Sequence, residues 1–212
     1  MTSIPHIAHF IVGLEPQDEP FHLVHYLAIA SCHEVVQPDE IRVHCRELPY
    51  GFYWDLAREL VTVCRDAPTD SLEILTAHGG LYAAIDTLFV SAPPDDLWNE
   101  SRVMGRRPDG SVSDALIMAA PGPAGVVRIE PARTFHPFAP TPEGMRGLLV
   151  DDATDLHGVV SIHLASHLWW AEDHRDVVAE VDAHTITEQW VRESASTYAR
   201  AAARFLPRHD CF

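Results

Sequence analysis

The stretch from His78 to Val90 reads His-Gly-Gly-Leu-Tyr-Ala-Ala-Ile-Asp-Thr-Leu-Phe-Val, and it constrains the fold more than any other part of the chain. Gly79 and Gly80 end a helix-like run, because glycine enters the left-handed region without a Cβ clash. Leu81 to Val90 is rich in β-branched and aromatic residues and reads as one largely buried strand. A single carboxylate, Asp86, stands near its middle. Such a group loses hydration unless it is paired, hydrogen-bonded or metal-bound. Asp86 is therefore either a structural residue at a strand bend or part of a functional site. Its replacement by alanine should leave the fold intact unless it holds a structural hydrogen bond.

The chain has room for one sizeable core, at 212 residues, and is read as one domain over 1–212. Its 31 acidic residues against 15 basic ones give a formal charge of -16. That field repels nucleic acid and anionic membrane, so neither is an expected partner. It also repels a nucleoside diphosphate, so any phosphate site needs local positive charge from a metal, an arginine or a helix N-terminus. Cys32, Cys45, Cys64 and Cys211 show no metal-finger spacing and are expected as reduced, mostly buried thiols. With neither a secretory signal nor a membrane-length apolar window, the reading is cytoplasmic.

Ile4 to Gly13 is expected as a first strand, Glu19–Val36 as a helix with one apolar face, Ile41–Cys45 as a strand and Tyr50–Val63 as a second helix. This alternation predicts an α/β fold with a largely parallel sheet and a ligand at the carboxyl ends of its strands. Thr69 or Asp70 caps a helix over Ser71–His78. Val103–Arg107 reads as an edge strand whose Arg106-Arg107 end is a solvated basic pair, Val126–Ile129 as a short strand, and Thr141-Pro142-Glu143 as a helix start. His163 and His167 share a face on either a helix or a strand, as core-edge histidines or as ligands of a divalent ion. Thr185–Leu206 is expected as one long helix, with Thr185 and Glu188 as its capping box and Pro207 as its stop.

The pattern His-Gly-Gly-Leu-Tyr-x-x-x-Asp-Thr at 78–87 resembles glycosyltransferases with a DXD sugar-binding region, of the GT-A type. Ile4-Pro5-His6-Ile7-Ala8-His9-Phe10-Ile11 is similar to that family's first strand, and Ile162-His163-Leu164-Ala165-Ser166-His167-Leu168-Trp169 to its C-terminal segment. The resemblance implies a GT-A-like (Rossmann-like) domain with a mixed, mostly parallel sheet flanked by helices. It implies transfer of a sugar from a nucleoside-diphosphate sugar to an acceptor hydroxyl, assisted by manganese or magnesium. Asp86 would be a metal ligand and catalytic residue, with His163 or His167 completing the shell. Asp114 would orient the donor sugar, Phe10 and Ile11 would border the nucleotide, and Gly79, Gly80 and Tyr82 would lie against the donor. Relatives of this type generally retain anomeric configuration, and no second carboxylate is assignable here as a nucleophile.

The chain departs from the family in five places, one being Asp114, where relatives commonly carry an asparagine. Ala84-Ile85-Asp86 lacks the first DXD carboxylate, Ser71 stands where relatives carry an arginine, and the segments before Ser71 and at Pro121–Gly125 are shortened. These leave two alternatives: a degenerate, non-catalytic member that binds a sugar nucleotide or a partner, and an enzyme of specialised biosynthesis that reuses the pocket. Dinucleotide-binding, P-loop, serine-hydrolase and zincin motifs do not occur.

Overall fold

The computed structural model describes residues 3–65, 70–123, 125–166 and 186–208. Strands β1 (Ile7–Ile11), β2 (Glu40–Cys45), β3 (Thr62–Arg65), β4 (Gly80–Ala83), β6 (Arg102–Arg106), β7 (Val112–Ala119) and β8 (Val127–Glu130) form a seven-stranded sheet in the order β3-β2-β1-β4-β7-β6-β8. All its pairings are parallel except the two made by β7. The result is the largely parallel α/β sheet that the alternation predicts, made mixed by β7. The order reverses between β1 and β4, which is where open α/β sheets leave a crevice beyond the carboxyl ends of their strands.

The strand expected over Leu81–Val90 is broken. β4 ends at Ala83, the chain turns through Ala84–Asp86, and β5 (Thr87–Phe89) leaves the main sheet to pair antiparallel with β9 (Ser161–His163). Asp86 thus lies in the break rather than within a strand. β6 is not an edge, because it lies between β7 and β8. The helix expected over Tyr50–Val63 is shorter: α2 (Phe52–Ala57) tightens into a 3₁₀ turn, and the β-branched Thr62 and Val63 belong to β3.

Helix α1 (Leu23–Ser31), prolonged by a π-helical turn over Cys32–Val36, is apolar on more than one face. Ala28, Ile29 and Cys32 pack under the main sheet, whereas Leu23, Val24, Leu27 and Ala30 meet β5, β9 and later helices. Those helices are α5 (Pro142–Leu149), contributing Met145, Leu148 and Leu149, and α7 (Thr197–Ala202), contributing Tyr198 and Ala202. A helix between two layers needs apolar residues all round. Ser31 fastens β5 to it, donating to Ala28 O and accepting from Phe89 N. On the far side of the sheet α3 (Ser71–His78) is capped by Asp70, whereas α4 (Ala132–Phe135), which follows β8, sends Phe135 into the core shared with α1.

The single C-terminal helix is replaced by α6 (Glu188–Glu193) and α7, separated by an extended Ser194. Ser196 is the N-cap of the new helix, its hydroxyl accepting from Ala199 N at 3.4 Å. Thr187 caps α6, and Thr185 lies outside the described residues. Cys32 and Cys45 are buried free thiols and Cys64 is half-buried, while Cys211 lies outside the described residues. Among the described residues no helix is long and apolar enough to cross a membrane.

Candidate functional site

A cleft of about 400 Å³ opens at the carboxyl edge of the sheet, at the β1–β4 switch point. Its lining includes Ile11 from the end of β1, Tyr82 from β4, Asp86 from the break and His163 from β9. Ser71 at the start of α3, Arg107 just past β6 and Asp114 on β7 complete the wall.

Asp86 forms the floor and is 5% exposed. One carboxylate oxygen lies 3.0 Å from His163 Nε2, and the other accepts from both the backbone N–H and the hydroxyl of Ser166, each at 2.7 Å. Ala165 takes φ +50, the left-handed region, and the chain there turns Ser166 N–H onto the carboxylate. Leu164 N–H also bonds Asp86 O at 3.2 Å. Burial opposes the charge on Asp86, but His163 and the Ser166 donors outweigh it and hold the carboxyl well below the usual range. Tyr82 is pushed up to about 12 by burial and by the nearby carboxylates of Asp114, Asp86 and Asp70.

Asp114 sits on the rim, 83% exposed, with Arg107 3.7 Å away. Arg107 is the cleft cation that the sequence reading passed over as a solvated surface group. A register shift between Met104 and Gly105 in the β6–β7 pairing precedes it, and such bulges re-aim the side chains that follow. No local sequence pattern announces that bulge. The α3 N-terminus, the other candidate for positive potential, is already capped, since Asp70 accepts from Leu72 N and Glu73 N.

The other named residues fall elsewhere. Phe10 is fully buried in the core on the face opposite Ile11, because neighbours on a strand alternate. Gly79 and Gly80 lie at the amino end of β4, away from the cleft. They take φ +65 and +109, and a Cβ would strike Pro5 and Pro121 at Gly79 and Ile7 O at Gly80. Their conformation and packing account for them as the turn from α3 into β4. His167 lies outside the described residues.

A carboxylate offers about four lone-pair sites, and three contacts already occupy Asp86. Ala84 adds no oxygen, and among the described residues no three histidine, cysteine or acidic groups converge as a metal cluster. The described side chains therefore do not by themselves build a coordination shell. A second cleft, about 640 Å³, is formed by the loop from Val12 to His22 and meets the first at Ser166. Glu15, Asp18 and Glu19 line it. His25 lies at its base, pulled down to about 4 by burial against the opposing pull of Asp86.

No family model matches the chain. It is similar to "Glucan organizing enzyme 1" of Cryptococcus neoformans var. grubii, 29% identical over 118 residues, covering 44% of this chain and 31% of that protein. The chain thus spans less than a third of that relative's length. A solved structure of "PaToxG Glycosyltransferase" aligns at 11% identity with a TM-score of 0.39, over 57% of this chain and 56% of that one.

Proposed function

We propose that the chain is a glycosyltransferase-like protein, one domain over 1–212, that transfers a sugar from a nucleoside-diphosphate sugar to an acceptor hydroxyl. The observation that carries this reading is a charged, buried Asp86 on the floor of a switch-point cleft with Arg107 on its wall. The name of the partial relative is in keeping with a carbohydrate substrate. A cytoplasmic setting belongs to the same proposal.

In the reaction the acceptor oxygen bonds to the anomeric carbon as the bond to the diphosphate breaks, the electron pair leaves on the diphosphate, and the departing diphosphate takes up the acceptor hydroxyl's proton. Arg107 meets that growing negative charge, where a preorganised cation in a partly dry site acts more strongly than in water. Asp86 keeps His163 and Ser166 in place and offers its remaining lone pair to a sugar hydroxyl or an ion. Ile11 and Tyr82 form the donor wall, and Asp114 orients the sugar from the rim. The acidic second cleft repels phosphate and so suits the acceptor. Bound manganese or magnesium would act as a Lewis acid on the diphosphate, with Asp86, His163 and His167 as its candidate holders. Calorimetry with manganese on the natural chain and on Ala84→Asp tests that part: weaker binding by the natural chain is expected, and equal affinities would remove position 84 from any ion site.

The decisive test is turnover of a panel of sugar nucleotides, with and without manganese, by the natural chain and by Asp86→Asn. Donor consumption by the first and its loss in the second is the expected result. Unchanged turnover in the variant overturns the assignment. A non-catalytic binder is the second reading, favoured by the three contacts that occupy Asp86 and by Ala84. In that case no donor is consumed, and the variant changes affinity alone.

A further inference from the structure

Away from the Asp86 cleft, a pocket of about 390 Å³ lies between the outgoing end of β5, the approach to β9 and the last helix. Val90 and Ser91 supply one side, Leu156 and Val159 the second, and Arg200 and Arg204 the third. No acidic residue lines it, in a chain with 31 acidic residues and 15 basic ones. Most other arginines of the cleft walls and surface are matched to carboxylates: Arg42 to Glu40, Arg107 to Asp114, Arg128 to Asp96, Glu100 and Glu130, Arg192 to Glu188. Among the described residues neither Arg200 nor Arg204 forms an ion pair. The nearest acidic group on the pocket's own loop, Asp155, is engaged by Arg133 and by His157 N–H.

Arg204 is also held in place. It donates to Val90 O at 2.8 Å, and its guanidinium carbon stands 4.5 Å over the Phe205 ring. One bond uses one of the roughly five N–H donors of a guanidinium, which leaves the rest of the fork for a ligand. Two guanidinium groups on a wall that also carries Ser91, His157 and several apolar side chains match an anion of charge about -2, the charge of a phosphate monoester. The apolar lining accepts a short carbon stem.

We propose that this pocket binds a phosphate group, free or carried on a small organic molecule, at a site separate from the Asp86 cleft. The site touches one end of the β5–β9 ladder, just beyond the Phe89–Ser161 pair, and the opposite end pairs Thr87 with His163. Val90 N–H and Ser91 N–H close the near end onto Val160 O at 2.9 and 3.3 Å. An occupant therefore ties β5, β9 and α7 together and raises the melting temperature.

The test is calorimetry of the full chain at constant ionic strength with inorganic phosphate and with glycerol 3-phosphate. Saturable binding of one equivalent is expected. Arg200→Gln, at a side chain that makes no hydrogen bond or ion pair among the described residues, should weaken it about tenfold, in line with the strength of one charge-assisted hydrogen bond. The double variant Arg200→Gln/Arg204→Gln should abolish it, and Arg107→Gln should leave it unchanged. Tighter binding of glycerol 3-phosphate identifies an organic phosphate, and equal binding identifies the free ion. Loss in Arg107→Gln, or full retention in Arg200→Gln, overturns the proposal, as does the absence of saturable binding. None of these results depends on whether Asp86 supports sugar transfer.

Discussion

The floor and the rim of the Asp86 cleft each carry one carboxylate, and the two differ in almost every physical respect. Asp86 is 5% exposed and accepts from His163 and Ser166, whereas Asp114 is 83% exposed and meets Arg107 at 3.7 Å. The floor residue ties its own turn to the 163–166 segment and cannot be altered alone. The rim residue is screened by water, so its ion pair contributes little to the fold. Burial and partners, not residue type, divide the two roles.

The sharpest way to break this comparison is Asp86→Ala. The sequence reading expects the fold to survive unless Asp86 holds structural hydrogen bonds, and it does hold them. Removing it takes the acceptor away from the part-buried donors of His163 and Ser166, and loss of one partner of a buried pair costs about 3–5 kcal/mol. Urea unfolding should show this cost, and any sugar-nucleotide turnover should fall by at least about 10²-fold. A variant as stable as the natural chain would place the floor on the same footing as the rim.

The next effect comes from histidines buried within the fold. Gly79 O can only accept, so His9 Nε2 donates to it at 2.9 Å, and His9 Nδ1 accepts from His44 Nε2 at 3.0 Å. Among the described residues this leaves His44 Nδ1 buried without a partner, and His136 Nε2, in a side chain 4% exposed, shares that state. Burial draws His9 and His44 down to about 4 and His136 to about 3. Their unfolded values lie near 6.5, so the unfolded chain binds more protons than the folded one between the two values. Their contribution is complete above about pH 6.5 and is lost as pH falls through about 4, on the order of 3 kcal/mol for a single such histidine. Asp86 is depressed as well, so its contribution is lost only below its ordinary carboxylate range. Denaturant midpoints measured from pH 7.5 to 4 should fall steeply. A flat profile would mean that these rings reach water.

Smaller effects are expected at the rim. Arg107→Gln should weaken binding of a nucleoside diphosphate about tenfold, read by calorimetry, as one charge-assisted contact is lost. Its effect on the melting temperature should be slight. Asp114→Asn should change stability by less than about 0.5 kcal/mol, as for most exposed positions. A larger loss in thermal unfolding would show that the rim, too, is structural.

Much of the fold was legible in local patterns. The β1–α1–β2 order and α3 with its Asp70 cap follow from apolar periodicity and capping chemistry, which act over a few residues. The proximity of Asp86 to the segment after Val160 came from the family resemblance and was met by the 3.0 Å contact to His163. Arg107 was not legible, because a bulge and the neighbours of β6 aim it into the cleft.

By itself the sequence determined the α/β class, the acidic field and the presence of a carboxylate that needs partners, because composition and short-range periodicity decide those. Tertiary structure alone decided that the run from Leu81 to Val90 divides between two sheets. Either sheet satisfies an apolar strand, and only the availability of β9 and the Ser31 hydroxyl selects one. It also decided which glycines turn the chain rather than face a ligand, and which arginines keep a pocket free of acid. Those properties belong to residues far apart in the chain, and no local window contains them.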